Sequence, residues 1–156
     1  MINKNQLTER SFTPSQLSGF DGAHSIQLPV DFIHDLSKAD SLQAVLDTIA
    51  YWISHVFDAD RASITLQDTE EYLKLYSISG NHAIPMDFKI PIGQTFVGRV
   101  FAQSQLIICD DLAQSDELDC KMLSEHGMGT CMDAPMIHNG VCIGTLNVAD
   151  QRKHHY

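Results

Sequence analysis

The sequence predicts an α+β fold, one antiparallel sheet with helices on its faces. Three observations carry this prediction. Residues 129–150 read G-T-C-M-D-A-P-M-I-H-N-G-V-C-I-G-T-L-N-V-A-D, two apolar runs about an Asn-Gly pair. Asn-Gly favours a tight type I′ turn, because both central residues of that turn sit at positive φ. Residues 42–56 place apolar side chains at spacings of three and four, the period of one helix face. Several short alternating or apolar segments, bounded by Gly, Asp and Asn, read as further strands.

Taken in order, residues 1–28 are polar and read as a flexible arm, with Phe12, Phe20 and Ile26 as its only evident docking points. Val30, Phe32, Ile33 and Leu36 form a short helical stripe that breaks at residues 38–41. Asp40 with Gln43 resembles a capping box for the next helix. Leu42, Val45, Leu46, Ile49, Trp52, Ile53 and Val56 then make that helix's inward face, and Gln43, Asp47, Thr48, Tyr51 and Ser54 its outward one. On this reading Trp52, the sole tryptophan, is largely buried against the sheet. Strands follow at 61–66 and 72–79, a loop at 82–87, and an extended run at 88–93 that breaks at Gly93. Thr95 caps a helix beginning at Phe96, whose apolar face is Phe96, Val97, Val100 and Phe101. A short buried strand covers 106–109. Ser115 caps the next helix, with Asp116 and Glu117 at its positive end, and Gly127 stops it as the residue after the cap. The hairpin strands, 130–137 and 141–149, are apolar at nearly every position, which implies a central place with cover on both faces. The division is thus an arm at 1–28, a domain at 29–150 and a tail at 151–156.

Composition narrows the function classes. The chain has 156 residues and a formal charge of −10, one domain by length. An acidic chain without a basic stripe is poorly suited to nucleic acid or an anionic membrane. No apolar run approaches the ~18 residues of a spanning helix, and the start M-I-N-K-N-Q-L-T-E-R lacks the apolar stretch of a secretory signal. The expected compartment is the cytoplasm, where thiols stay reduced. Cys109, Cys120, Cys131 and Cys142 lie eleven apart without a C-x-x-C pair; they read as small hydrophobes, Cys120 as a surface thiol on an amphipathic helix, and no metal is expected. Met122, Met128, Met132 and Met136 read as core filler.

The candidate site is a polar floor within this apolar setting. By period two, Cys131 and Asp133 share one face of their strand, Thr145, Asn147 and Ala149 share a face of the next, and Arg61, Ser63 and Thr65 share a face of theirs. Asp133 is the most telling of these. A carboxylate in a central strand is costly unless paired or hydrogen-bonded. It is either a ligand anchor or a structural carboxylate paired with Arg61 or Arg99.

Four stretches give the chain a family resemblance: D-A-D-R-A-S-I at 58–64, I-P-I-G-Q-T-F-V-G-R-V at 90–100, I-C-D-D-L at 108–112 and A-P-M-I-H-N-G-V-C-I-G-T-L-N-V at 134–148. With the element order, these resemble the GAF domain family across residues 30–150. The resemblance implies a PAS-like sheet with helices behind it and a small-molecule pocket in front. It also implies a regulatory role towards an attached or partner signalling output. The pocket set it suggests is Arg61, Ser63, Thr65, Phe96, Asp111, Cys131, Asp133, Thr145 and Asn147, with no catalytic or metal-binding residue. The ligand is left open. The asparagine-lysine-phenylalanine-aspartate-glutamate signature of cyclic-nucleotide-binding members is not visible, so a cyclic nucleotide is one candidate among small molecules. Asp111 to Cys120 fits the spacing of members that bind a linear tetrapyrrole, but Lys121 stands where those commonly carry His, and a bilin is not expected. Some stand-alone members of about this length instead reduce free methionine sulfoxide with cysteine chemistry. Such an enzyme is the alternative reading, although Val97 occupies the place of one of its cysteines and Asn147 and Ala149 the places of its acidic residues.

Family members normally add a final helix after the last strand, and only six residues follow Asp150 here. The expectation is an α+β, GAF/PAS-like sheet without that helix, leaving part of the back face and of the 42–56 helix exposed. A homodimer, or a place in a longer signalling protein, would cover such a surface.

Overall fold

The structure, a computed structural model, describes residues 8–17 and 27–156; Phe20 and Ile26 lie outside the described residues. The elements run β1 (Glu9–Phe12), α1 (Pro14–Leu17), α2 (Val30–Lys38), α3 (Leu42–Val56), β2 (Arg61–Gln67), β3 (Tyr72–Gly80), β4 (Lys89–Pro91), α4 (Phe96–Gln103), β5 (Leu106–Cys109), α5 (Leu118–Glu125), β6 (Thr130–His138) and β7 (Val141–Asp150). Single 3₁₀ turns at Ile92–Gln94 and Leu112–Gln114 precede α4 and α5.

One seven-stranded sheet results, in the order β1-β5-β6-β7-β2-β3-β4, and every neighbouring pair is antiparallel. The Asn-Gly turn sets its centre. Asn139 and Gly140 both take positive φ, 50° and 78°, as a type I′ hairpin requires. The turn locks His138 opposite Val141, and a bulge after Met136 adjusts the register before the long ladder down to Thr130 opposite Asp150. β7 then pairs with β2, so the hairpin is interior, as its apolar runs predict. The cover stops short of its tip, however, where Ile137, Val141 and Ile143 are 41–63% exposed.

Helices pack on opposite faces of the sheet. α4 and α5 close over Cys109, Cys131, Ala149, Leu73 and Leu75. α3 lies on the other face, against Ile64, Leu146, Tyr76 and Met136. The caps decide where the helices begin. Thr95 caps α4 by accepting a hydrogen bond from the Gly98 amide at 3.1 Å. Gly98 has no room for a side chain, since a Cβ there would stand 2.2 Å from the Ile92 carbonyl oxygen.

Several local expectations are corrected. α3 is capped by Ser41, whose Oγ accepts from the Ala44 amide at 3.1 Å, and not by Asp40 with Gln43. Its sheet-facing stripe is Leu46, Ala50 and Ser54, with Gln43 donating to the Tyr76 carbonyl and Asp47 accepting from Ser77, each at 2.6 Å. These two polar bonds to β3 set the rotation of the helix, and the small Ala50 and Ser54 permit close approach. The more apolar stripe turns aside. Leu42 is left 64% exposed, and Trp52 packs on Phe32 of α2 at 6.2 Å while its Nε1 donates to Asp35 at 2.9 Å. Trp52 is therefore half-buried between two helices. At α5 the cap position belongs to Glu117, which makes no capping bond because its carboxylate is held by Arg99. Gly127, at φ +87°, ends α5 as predicted.

The arm and the tail are also more ordered in places than their composition suggests. Within the arm, Glu9–Phe12 adds an edge strand to β5, held by Arg10 to Asp110 at 2.6 Å and by Glu9 to Arg99 at 2.8 Å. In the tail, Arg152 bridges Asp58 and Asp150, Lys153 pairs with Asp111, and Arg10 donates to the Tyr156 carbonyl. Among the described residues, no helix is long and apolar enough to cross a membrane.

Candidate functional site

The three central strands bring the polar residues into rows. Arg61, Ala149 and Cys131 are direct neighbours across β2, β7 and β6; so are Ser63, Asn147 and Asp133; so are Thr65 and Thr145. Period two turns the side chains of these rows to the face beneath α4 and α5. A cavity of about 30 Å³ lies there. Arg61, Ser63, Thr65, Cys131, Asp133, Asn147 and Ala149 form its floor, and Leu75, Ile84, Ile90, Val97, Asp119 and Leu123 its walls. This is room for a water molecule or two, far below the ~300–1,000 Å³ of a filled ligand pocket. As it stands the cavity is too small for such a ligand.

Three of the nine candidate residues lie outside its lining. Phe96 is fully buried in the core beside it. Asp111 caps the turn before α5, accepting from the Ala113 amide at 3.2 Å, and pairs with Lys153 at 2.9 Å. Thr145 is turned to Thr65, with which it shares a buried hydrogen bond of 2.6 Å.

Arg61 is the floor's cation. Its guanidinium donates to the carbonyls of Asn81 and Ile84, which ties the loop after β3 to the central sheet. Burial lowers its pKa to about 10, with Asp133 opposing the shift, so it is charged at neutral pH. Asp133 is 5% exposed, and among the described residues no group donates a hydrogen bond to it or forms an ion pair with it. Neither arginine pairs with it directly. Arg61 acts on it at a distance, and Arg99 is committed to Glu9 and Glu117. Burial first, and then repulsion from Asp119, push the Asp133 carboxyl well above the usual range, against the pull of Arg61. Beside it, Asn147 donates to Ser63 Oγ at 3.3 Å, and its Oδ1 is buried with no partner.

Asp119 was not legible as a site residue. It lies on the first turn of α5, where its sequence position suggests only an acidic residue favouring a helix N-terminus. In space it accepts the amides of Phe96 at 2.8 Å, Val97 at 3.0 Å and Cys120 at 3.0 Å. It thus joins the start of α4 to the start of α5 and presents a buried carboxylate to the cavity. Burial raises its pKa, and the amides of Val97 and Phe96 oppose that.

Three thiols converge next to the floor. Cys109 and Cys131 are cross-strand neighbours, and Cys120 of α5 interacts with both. Cys120 is fully buried, which corrects its reading as a surface thiol. α5 turns it inward with Leu123, while Leu118 faces out. The hydrogen bond with Cys120, and then burial, push the Cys109 thiol far up; Cys120 is lowered by Cys109 but raised further by Cys131 and burial; and Cys131, lowered by Cys120, is carried to about 12 by burial and the Asp133 charge. Among the described residues, no group of three or more His, Cys, Asp or Glu could hold a metal ion.

Solved structures share this architecture. The GAF domain of a Coxiella burnetii phosphoenolpyruvate-protein phosphotransferase is 19% identical, with a TM-score of 0.70 over 81% of this chain and 77% of that one. The corresponding Acinetobacter domain is 15% identical, with a TM-score of 0.67 over 80% and 75%. The free methionine-R-sulfoxide reductase of Neisseria meningitidis, solved with its substrate, is 20% identical, with a TM-score of 0.67 over 80% and 72%. At these identities the likeness is one of fold. Comparison with curated protein sequences gives no significant match. The GAF domain family profile matches residues 41–156, from the cap of α3 to the last residue. Sheet order, helix placement and this match agree, and the chain belongs to the GAF domain family.

Proposed function

We propose that residues 29–150 are a sensory unit that binds a small molecule over the β2–β7–β6 floor and passes its occupancy to a partner or an attached signalling output. The observation that carries this reading is the floor itself. Asn147 Oδ1 is a buried acceptor without a donor, and beside it Asp133, 5% exposed, receives no hydrogen bond among the described residues; both face a cavity whose walls are mostly apolar. Unsatisfied buried polar groups are rare in proteins and are rational where a ligand supplies the partner. Transmission would be a population shift. The ligand must bind a wider arrangement of residues 80–94 and α4 better than the arrangement described above. Arg61 is the coupling point, since it holds the 81–84 backbone to the floor. The exposed apolar side chains of α2, α3 and the hairpin tip, led by Val30 and Leu42, support a homodimer or docking within a larger protein. The reduced thiols suit the cytoplasm.

Native mass spectrometry of protein purified without refolding tests this. A bound small molecule is expected, and Val97→Phe, which fills the cavity from α4, should lose it. Absence of any adduct, with Val97→Phe no different from the parent in response to added metabolites, would remove the sensor reading.

The reductase alternative has one observation in its favour, the convergence of Cys109, Cys120 and Cys131, with Cys131 on the cavity floor. Raised thiol pKa values weigh against it, because the thiolate is the reactive form. Methionine sulfoxide turnover with a thiol reductant, lost in Cys120→Ser or Cys131→Ser, would establish that reading over the non-enzymatic one.

A further inference from the structure

We propose that the cavity's ligand is a small aliphatic amine, its ammonium group seated between Asp133 and Asn147. This rests on the sensor reading and adds the chemistry of what is sensed.

The first argument is the polarity of the unmet hydrogen bonds. On the floor, Asn147 Oδ1 is a buried acceptor without a donor, and the Asp133 carboxyl, 5% exposed, receives no hydrogen bond among the described residues. The complementary donor of Asn147 is spent on Ser63. Asp133 and Asn147 are directly opposed on paired strands, where side chains stand ~5 Å apart, so one small group can reach both. An ammonium brings three N–H donors, whereas a hydroxyl brings one.

Charge gives the second argument. Two carboxylates, Asp119 and Asp133, face the cavity against a single guanidinium. Burial favours the protonated form of Asp133 in the empty site; an ammonium beside it favours ionisation, and with both carboxylates ionised it cancels the one excess negative charge. A carboxylate or phosphate would meet the Asp119 and Asp133 carboxyls, and two of the five Arg61 N–H groups that could receive it already serve the Asn81 and Ile84 carbonyls. The lining thus favours a cation over an anion.

Size and lining give the third. About 30 Å³ admits a group as large as water, which describes an –NH₃⁺ head. Beyond it the wall is apolar, with Leu75, Ile84, Ile90 and Val97, a surface for a hydrocarbon chain once the Ile84 segment gives way.

The test is calorimetry and thermal denaturation of the natively purified, dialysed protein with n-propyl- to n-octylammonium chloride, against the matching alcohols and carboxylates at equal ionic strength. The amines should bind at least tenfold more tightly than the alcohols, and the carboxylates should not bind. Asp133→Asn should remain folded and lose at least tenfold in amine affinity, and Asn147→Ala should weaken it too. Equal binding of alcohol and amine, preference for carboxylate, or full amine affinity in Asp133→Asn would overturn the proposal. If the amines fail while native mass spectrometry finds a non-amine ligand that Val97→Phe excludes, the amine assignment falls and the sensor stands. If neither method finds a ligand, both fall.

Discussion

Replacing Asp119 by Ala should cost this domain about 4 kcal/mol, although Asp119 is a surface-type residue by composition. Its Oδ1 and Oδ2 accept the Phe96 and Val97 amides at 2.8 and 3.0 Å. Those are the first two amides of α4, which have no partner inside their own helix. Both are buried, so water cannot replace the carboxylate. A buried donor left unmet costs ~1–3 kcal/mol, and two give ~2–6 kcal/mol. For a chain of this length each kcal/mol lowers the melting temperature by ~2–4 °C, so a loss of about 10 °C is expected. One effect opposes this. Asp119 repels Asp133 across the cavity, and its removal relieves that repulsion. The Asp133→Asn background lacks the repulsion, so Asp119→Ala should cost more there, and the difference measures the coupling. Asp119→Asn keeps one acceptor and should cost less than half as much. Urea denaturation followed by circular dichroism reads all five proteins, the parent included. A change below ~0.5 kcal/mol for Asp119→Ala in both backgrounds would refute the role of Asp119 as the clasp between α4 and α5.

Asp133→Asn should stabilise the empty protein at alkaline pH. Burial raises the folded-state pKa of Asp133 above its unfolded value, so the folded state holds the proton longer and stability falls as pH rises through that window. The variant's advantage should therefore be small near pH 4 and grow towards pH 8, and a pH-independent difference would contradict the assignment. Trp52→Ala should cost ~2 kcal/mol, less than for a fully buried tryptophan, because Trp52 is half-exposed between Phe32 and Asp35; a strongly blue-shifted native emission would contradict this placement. Sedimentation at high micromolar concentration should show self-association that Leu42→Glu or Val141→Glu disrupts, since both side chains are more than 60% exposed; a clean monomer that binds no hydrophobic dye would refute the apolar surface as an interface.

How much of this was legible in the sequence depends on how local each signal is. The hairpin needed only Asn139 and Gly140, whose positive φ is a property of those two residues. The floor was legible for a related reason. Period two along three strands predicts which side chains share a face, so once those strands pair, Ser63, Asn147 and Asp133 must meet. Asp111 and Asp119 show where such reasoning stops. The two acids stand eight residues apart near the start of one helix. Whether each meets a lysine or the end of α4 depends on how α5 lies over the sheet, which no local period encodes. Trp52 shows a second limit. Counting apolar residues on α3 chooses the wrong face, because two polar contacts from Gln43 and Asp47 to β3 set its rotation. The edge strand Glu9–Phe12 shows a third. Its four residues are unremarkable as a strand and are held by ion pairs to Asp110 and Arg99, 100 and 90 residues away in the chain respectively. In each case a polar contact distant in sequence overrode a local preference. Asp119 and Asp133, which come from a helix and a central strand and meet across one cavity, are where that long-range chemistry would be put to use.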